Sequence, residues 1–377
     1  MKFFKNLLIV VVIFFSLLYT FDLNYLIKGV RVVYLNGYTT VFIDDNEYFD
    51  TTKVETSDNA EPWLKHINYN KKNTSDSFDE FNAEMETAAF LIIQNDSILT
   101  EKYYNGYDEN SVINSFSMSK TLIYVSLAKA IEEGYVNSLQ QKVIDFIPEL
   151  KGPFASELKV IDLASMHSGL KWTEPSLNPF SVLAKTYFVK DLNKLMLEQP
   201  IIKKPGVNFQ YSSGDYQILS ILIERATGEK ITDYFSKHFW KKMNAEQDAI
   251  WQLDSYESAN AKAFCCFSTN ARDLSRIGKL YLNNGNWNGE QLVDSSFIKT
   301  SFTTKDSPIY GIGIWVDNYK GYEIGMIRGH LGQYVIFIPE KELIISRFGR
   351  NYIDKGIIEV TEDTYIYIDE ALRITGS

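Results

Sequence analysis

The chain contains 377 residues, and at roughly 150 residues per domain this length allows two or three domains or one large composite domain. Hydrophobic residues make up 45% and charged residues 23%, which excludes a disordered tail protein, a collagen-like fibre and a multi-span membrane protein. Thirty-eight basic residues stand against 48 acidic ones, a formal net charge of −10. Because phosphate binding needs a basic surface, this charge argues against nucleic acid as a partner.

The N-terminus carries a targeting pattern. Lys2 and Lys5 precede an apolar run from Leu7 to Phe21. A basic region followed by such a run is typical of a secretion signal, and the run is shorter than the roughly 20 apolar residues of a spanning helix. No A-x-A-like cleavage site follows, so residues 1–22 are either a cleaved signal peptide or an uncleaved membrane anchor. Both place the rest of the chain in the cell envelope or periplasm, secreted or tethered to a membrane.

The following stretch shows β-type patterns and then loses its pattern. Val30–Tyr34 and Thr39–Ile43 are typical of short strands around a turn at Asn36–Gly37. Residues 57–85 are polar and without periodicity, which favours a linker. We therefore assign residues 23–85 to an N-terminal extension and linker.

A hairpin and a helix come next. Ala88–Ile93 and Ile98–Tyr104 are predicted strands joined by a turn at Asn95–Ser97. A helix is predicted from Ser117 to Glu133, where Gly134 ends it.

Helical patterns dominate as far as about residue 285. They include a helix over Tyr216–Ala226, with Asp215 as its N-cap and Gly228 at its end. After residue 305 the pattern predicts four strands and a last helix, in the order Ile309–Val316, Tyr322–Ile327, Tyr334–Ile338, Leu343–Phe348 and Glu362–Ile374.

Strands near both ends of this region, with helices between them, predict an α+β fold. We expect one antiparallel sheet built from both chain ends, with flanking helices and an inserted all-helical domain. The folded domain is predicted to cover residues 86–375.

Ser-x-x-Lys spacing places a nucleophile and a base one turn apart on a single helix face. The lysine can then accept the serine proton, provided that burial lowers its pKa. The spacing alone is weak, because it occurs five times, at Ser117/Lys120, Ser126/Lys129, Ser156/Lys159, Ser168/Lys171 and Ser296/Lys299.

Context selects Ser117 among these serines. It lies where a strand-rich segment becomes a helix, and free N–H groups and the helix dipole there favour developing negative charge. Lys120 is expected to face an apolar interior. Tyr211, in a loop before a helix, can shuttle a proton if a nearby cation lowers its pKa. The segment Arg328–Tyr334 contains two glycines, which let a substrate approach a strand edge.

Three motifs together resemble those of a known superfamily. Phe116–Thr121 (Phe-Ser-Met-Ser-Lys-Thr), Tyr211–Ser213 (Tyr-Ser-Ser) and His330–Gly332 (His-Leu-Gly) follow one another in this order. They resemble the motifs of the serine β-lactamase and penicillin-binding-protein superfamily. Its class C-like serine hydrolases, which include esterases and 6-aminohexanoate-dimer hydrolases, are the most similar branch, and the resemblance covers about residues 86–375.

The resemblance implies a covalent acyl-enzyme. Ser117 would be the nucleophile, Lys120 its base and Tyr211 a general acid/base, with oxyanion contacts from the backbone N–H groups of Ser117 and of a residue near Gln333. Further residues of the second and third motifs would bind substrate, namely Ser213, His330, Gly332 and Gln333.

Two departures from the family pattern bear on the substrate. Ser213 stands where β-lactamases have Asn, and His330 stands where they have Lys. In β-lactamases that Lys helps to hold the carboxylate of the drug, and a neutral His binds a carboxylate less well. A small amide or ester is therefore expected instead of a β-lactam.

Two other hypotheses stay open. One is a DD-peptidase or penicillin-binding protein of the cell wall, and the other is a non-catalytic binding or sensor protein of the same fold. The intact set of Ser117, Lys120 and Tyr211 argues against the non-catalytic protein. No cofactor or metal is expected, since His66 and His238 lack partners at ligand spacing. The adjacent Cys265 and Cys266 are interpreted as buried thiols.

Overall fold

The protein, described here by a computed structural model over residues 2–174, 178–353 and 359–376, has an α+β fold. This confirms the predicted fold class. Helices within this part of the chain are α1 Lys2–Thr20, α2 Tyr25–Val32, α3 Asp76–Glu84, α4 Ser119–Glu132, α5 Val160–Ala164, α6 Val182–Phe188, α7 Leu192–Leu197, α8 Ser213–Thr227, α9 Ile231–Phe235, α10 Ala271–Leu282, α11 Ser295–Ser301 and α12 Glu362–Thr375.

The strands in the described part of the chain range from two to eight residues in length. They are β1 Thr51–Val54, β2 Leu64–Lys65, β3 Thr87–Gln94, β4 Ser97–Tyr103, β5 Ile113–Asn114, β6 Ala249–Gln252, β7 Phe267–Thr269, β8 Asn286–Trp287, β9 Glu290–Gln291, β10 Trp315–Tyr319, β11 Tyr322–Gly329, β12 Gln333–Ile338 and β13 Leu343–Gly349.

The main sheet joins both halves of the chain. Its strand order is β10-β11-β12-β13-β3-β4-β2, antiparallel except for the edge pair β2–β4. The hairpin β3–β4 and the meander β10–β13 were both predicted, and β13 pairs with β3 as expected of a sheet built from both ends. The insertion between β4 and β10 is mainly helical, but it also contributes β5, β6 and β7 to a small sheet with β1.

Helices cover both faces of the main sheet. Gly278 of α10 lies against Val335 and Ile344, so that this helix packs closely on one face. On the opposite face, Phe90 of β3 packs against the Tyr367 ring of α12. Because helices cover both faces, the central strands β3, β12 and β13 are mainly apolar on both faces and buried almost throughout.

The predicted strands near residues 30 and 40 are wrong. Residues 25–32 form α2, and the chain then turns at Gly37, whose φ is 82°. Leu26, Val30 and Val33 recur at a spacing of three to four residues, which is typical of one face of a helix. The two valines are β-branched and equally suit a strand. We attribute the helical form of this segment, instead of a strand, to the packing of α2 against its neighbours.

The interpretation of residues 57–85 as a patternless linker also needs correction. The segment contains β2 and α3, and Phe78 of α3 is buried against Phe90 of the main sheet. Just before this segment, Phe42 and Phe49 are buried and β1 pairs with β6. These residues are therefore part of the packed structure.

Two local details also differ from the predictions. The N-cap of α8 is Ser212, whose hydroxyl accepts a hydrogen bond from the Asp215 backbone N–H, whereas Asp215 lies inside the first turn. The first strand of the meander begins at Trp315 instead of Ile309, because the chain makes tight turns before it, with Gly313 at φ 76°.

The two cysteines form a disulfide bond, which corrects their interpretation as free thiols. Cys265 and Cys266 are both buried, and Cys266 adopts a left-handed backbone with a φ of 72°.

Helix α1 stands apart from the core. It spans 19 residues, none of them buried, and it is long and apolar enough to cross a membrane. A signal sequence passes the same test of length and composition.

Candidate active site

Ser117 lies in a short turn between β5 and α4. The residue before it, Phe116, has a φ of 51°, an uncommon conformation for a residue with a side chain. The side-chain oxygen of Asn114 accepts a hydrogen bond from the Phe116 backbone N–H at 3.0 Å and so supports this conformation. The turn leaves Ser117 half-buried at the wall of a cavity, just before the first turn of α4.

Lys120 is buried directly behind Ser117. Its Nζ donates hydrogen bonds to Ser117 Oγ at 2.9 Å and to the Phe264 carbonyl at 2.7 Å. Burial lowers the pKa of Lys120 to about 8, and the negative charge of Glu174 acts in the opposite direction. The expected apolar surroundings of this lysine are therefore present.

Tyr211 meets the same two residues from the opposite side. Lys120 Nζ lies 5.2 Å from the centre of the Tyr211 ring, and the phenol is a hydrogen-bond partner of Ser117. The Trp315 ring stacks on the Tyr211 ring, and the two ring centroids are 5.3 Å apart. Burial raises the pKa of Tyr211, and the Glu174 charge raises it further, so the condition that a nearby cation lowers this pKa is not met. The phenol stays protonated at neutral pH.

The third motif approaches the turn that carries the serine. Gly329 lies so close to it that a Cβ there would be 2.1 Å from the Ser115 carbonyl oxygen, which explains why this position is glycine. His330 follows, with its ring 5.5 Å from that of Phe116 and its Nε2 3.3 Å from the hydroxyl of Thr40.

Gly332 and Gln333 also lie in the third motif beside this turn, but they are not among the residues that line the cavity. Gly332 is buried, with a φ of 74°. The Gln333 side-chain amide donates to the carbonyls of His330 and Gly349 at 3.0 and 2.7 Å. This side chain fixes the turn of the motif, whereas Ser117, Tyr211, Ser213 and His330 line the cavity.

Glu174 belongs to the site and was missed by the sequence analysis. Its carboxylate accepts hydrogen bonds from the Ser213 hydroxyl at 2.6 Å and from the Ser213 backbone N–H at 3.0 Å. The indole N–H of Trp172 donates to the same carboxylate. Burial raises the pKa of Glu174, and the neighbouring Lys120 charge opposes this rise. A single acidic residue in a loop gave no local signal.

Arg328 is a second residue of the site that was missed, although it begins the quoted third segment. It lines the cavity, lies 4.8 Å over the Trp315 ring and donates to the Glu359 carbonyl at 2.9 Å. The site therefore holds a permanent cation two residues from His330. Such a cation can attract an acidic group of a substrate.

The cavity itself has a volume of about 600 Å³. Cavities of roughly 300–1,000 Å³ are typical of small-molecule sites. Its polar groups gather around Ser117, while aromatic and aliphatic side chains form most of the remaining wall.

The chain is similar in sequence and in fold to several known proteins. A 6-aminohexanoate-dimer hydrolase of Paenarthrobacter ureafaciens is 26% identical over 226 residues, which are 57% of this chain and 56% of that protein. This chain thus spans about half the length of that curated relative. A Bacillus anthracis structure, provisionally assigned as a 6-aminohexanoate-dimer hydrolase, has a TM-score of 0.76 at 20% identity over 89% of this chain and 94% of the other.

A second solved structure, FmtA from Staphylococcus aureus, has a TM-score of 0.59 at 14% identity over 84% of this chain and 91% of that chain. At these identities the two structures show a shared fold. The model of the Beta-lactamase family matches residues 75–348, a range that includes all three motifs and most of the sequence. The chain belongs to the Beta-lactamase family.

Proposed function

We propose that the protein is a serine hydrolase that cleaves a small amide or ester through a covalent acyl-enzyme. The observation that carries this proposal is the 2.9 Å hydrogen bond from Lys120 Nζ to Ser117 Oγ at the cavity wall. A lysine with a pKa of about 8 is partly neutral at neutral pH and can then accept a proton.

In the proposed reaction, Ser117 Oγ attacks the carbonyl carbon of the substrate while Lys120 takes its proton. The bond to the amine or alcohol breaks, and the leaving group receives a proton from the Tyr211 phenol, which Lys120 reprotonates. Water then attacks the acyl carbon, the ester bond to Ser117 breaks and the carboxylic acid departs. The raised pKa of Tyr211 suits a proton donor.

The oxyanion is proposed to bind the backbone N–H groups of Ser117 and of a residue near Gln333. The close contact between Gly329 and Ser115 supports this, because it holds the third motif against the serine turn. Gly332 and the side chain of Gln333 then act as positioning residues, while Ser213 and His330 are proposed to contact substrate.

The test is the intact mass of the protein after exposure to a fluorophosphonate and, separately, to a penicillin. An adduct of the fluorophosphonate on Ser117 is expected. A stable penicilloyl adduct would favour the DD-peptidase hypothesis instead, and no adduct with either reagent would contradict hydrolase chemistry at this serine.

Glu174→Gln is expected to move the acidic limb of the pH profile, on which kcat/KM rises with pH, to lower pH. The Glu174 carboxylate favours the protonated form of Lys120, so its removal lowers the pKa of that lysine further. The profile with a nitrophenyl acetate substrate measures the midpoint. Glu174→Asp keeps the charge and should leave the midpoint near its original value. Equal midpoints in Glu174→Gln and the parent protein would show that the Glu174 charge does not affect the pKa of Lys120.

His330→Lys is expected to favour substrates that carry a carboxylate. A permanent cation would form a charge-assisted contact worth roughly 1.5–3 kcal/mol, or about ten- to a hundredfold in relative kcat/KM. The measured quantity is the ratio between a carboxylate-bearing and a neutral ester, which cancels any loss of folded enzyme. An unchanged ratio would show that His330 lies outside the substrate site.

We also propose that residues 1–22 direct the protein to the cell envelope, as a signal peptide or an anchor. The unburied apolar helix α1 supports this. Because residues 42–54 are packed into the core, we propose that the hydrolase domain begins well before residue 86.

The proposed location predicts the behaviour of a reporter joined to the C-terminus of the full chain. A reporter enzyme that works only outside the cytoplasm should be active, because α1 carries the rest of the chain across the membrane. The matched control deletes the apolar run from Leu7 to Phe21 and should lose the activity. A reporter that works equally well without that run would contradict export by this segment.

A further inference from the structure

The N-terminal segment forms one wall of the cavity that contains Ser117. Tyr25, Leu26, Gly29, Val30 and Val33 line the cavity from α2 and the residue after it, and residues 39–41 line it further along. None of these residues belongs to the three motifs, and all of them lie outside the matched range of the family.

Several contacts hold this wall in place. The Tyr25 hydroxyl donates to the Pro179 carbonyl at 2.9 Å. A Cβ on Gly29 would lie 3.4 Å from the Phe188 ring, so α2 and α6 pack at short range. At its other end the segment reaches the catalytic motifs, where Thr40 Oγ1 lies 3.3 Å from His330 Nε2.

The space between α2 and α6 is lined by apolar groups. Leu183 and Phe188 of α6 face the cavity together with Leu26 and Val30 of α2. Two further lining residues, Tyr34 and Phe180, are 54% and 67% exposed, so the apolar lining continues to the protein surface. A chain of CH₂ groups gains free energy on leaving water for such a surface.

The wall lies close to the apolar helix α1. Only residues 21–24 separate the end of α1 from Tyr25, which limits the distance between them to about 18 Å even if the chain were fully extended. Lys185 of α6 also forms an ion pair with Asp22 in this connection. If α1 lies in a bilayer, the apolar wall is therefore near the membrane surface.

We infer that the substrate is an amphiphile with a long apolar acyl chain, and that this chain lies between α2 and α6 while its carbonyl meets Ser117. The inference rests on the proposed serine hydrolase chemistry, and it replaces the small amide or ester of that proposal with one that carries a long acyl chain. Ser117 Oγ bonds to the acyl carbon, the headgroup leaves as an alcohol or amine with one proton, and water then releases the fatty acid and restores the serine.

The experiment uses the full chain in phosphatidylcholine vesicles with nitrophenyl acetate and nitrophenyl decanoate. The parent protein should prefer the decanoate in kcat/KM by about a hundredfold or more, because each added CH₂ is buried against the wall. A similar rate for the two esters would overturn the inference.

A matched pair of variants on α2 assigns the preference to this wall. Val30 lines the cavity and is 46% exposed, whereas Ile27 is 36% exposed and is not among the lining residues. Val30→Asn should reduce the ratio of decanoate to acetate hydrolysis about tenfold. Ile27→Asn should keep the ratio of the parent protein. Because both variants enter vesicles with the same lipid, partition of the ester into the bilayer affects them equally.

The outcomes separate this inference from the function on which it rests. A reduced ratio in Val30→Asn supports the acyl-chain wall, and labelling of Ser117 by the fluorophosphonate in this variant shows that it is folded. Equal ratios in Val30→Asn and Ile27→Asn overturn the wall but leave the hydrolase proposal intact. Absence of a fluorophosphonate adduct on Ser117 in the parent protein overturns both.

Discussion

Ser117→Ala is expected to lower kcat/KM for short nitrophenyl esters by roughly 10⁴-fold or more, because the acyl bond is proposed to form on the Ser117 hydroxyl. The fold should survive the change. Lys120 keeps its 2.7 Å hydrogen bond to the Phe264 carbonyl, and the lost hydroxyl contact is worth about 1 kcal/mol. Ester hydrolysis and the thermal unfolding midpoint measure the two effects.

Ser126→Ala supplies the control for this change. Ser126 has the same spacing to a lysine, but its hydroxyl is buried and donates to the Leu122 carbonyl within α4 at 2.8 Å. This variant should retain activity close to that of the parent protein. Activity above a few per cent in Ser117→Ala would show that another residue is the nucleophile.

Lys120 should control the acidic limb of the pH profile, on which kcat/KM rises with pH. Only its neutral form can accept the Ser117 proton, so kcat/KM should rise about tenfold per pH unit below pH 8 and level off above it. The sign follows from burial, which lowers the pKa of this lysine and so places the limb near 8 instead of above 10. Kinetics between pH 6 and 10 with an uncharged ester would locate it.

Lys120→Arg tests the same assignment by a different route. A guanidinium stays protonated at every pH of the assay and cannot act as the base, so a loss of about 10²–10⁴-fold is expected. Lys129→Arg is the matched control, because Lys129 forms an ion pair with Glu132 at 3.2 Å and does not line the cavity among the described residues. A limb that persists near pH 8 in Lys120→Arg would identify a different titrating group.

The sequence predicted those features that depend on residues close together in the chain. One helical turn separates Ser117 from Lys120, and this turn alone brings their side chains to 2.9 Å. Likewise, the hairpin β3–β4 follows from two apolar runs around a short polar turn. In both cases, residues close in sequence determine the structure.

The parts that were missed depend on contacts between distant residues. Glu174 and Ser213 are 39 residues apart, and Thr40 and His330 are 290 residues apart. No local pattern reports such a pair. The same reason explains α2, whose Val-rich sequence suits a strand and which owes its helical form to packing against α6. The raised pKa of Tyr211 likewise arises from burial among distant residues.

The pairing of β13 with β3 determines when the main sheet can form relative to synthesis of the chain. Arg347 of β13 donates a hydrogen bond to Thr87 of β3 across 260 residues of sequence. Until the last strand has been synthesised, β3 lacks its neighbour and exposes an unpaired edge, which is an aggregation hazard. Closing so long a loop is entropically slow. A protein built in this way completes its main sheet only after nearly the whole chain has been made, so it can remain unfolded long enough to be threaded through a translocation pore.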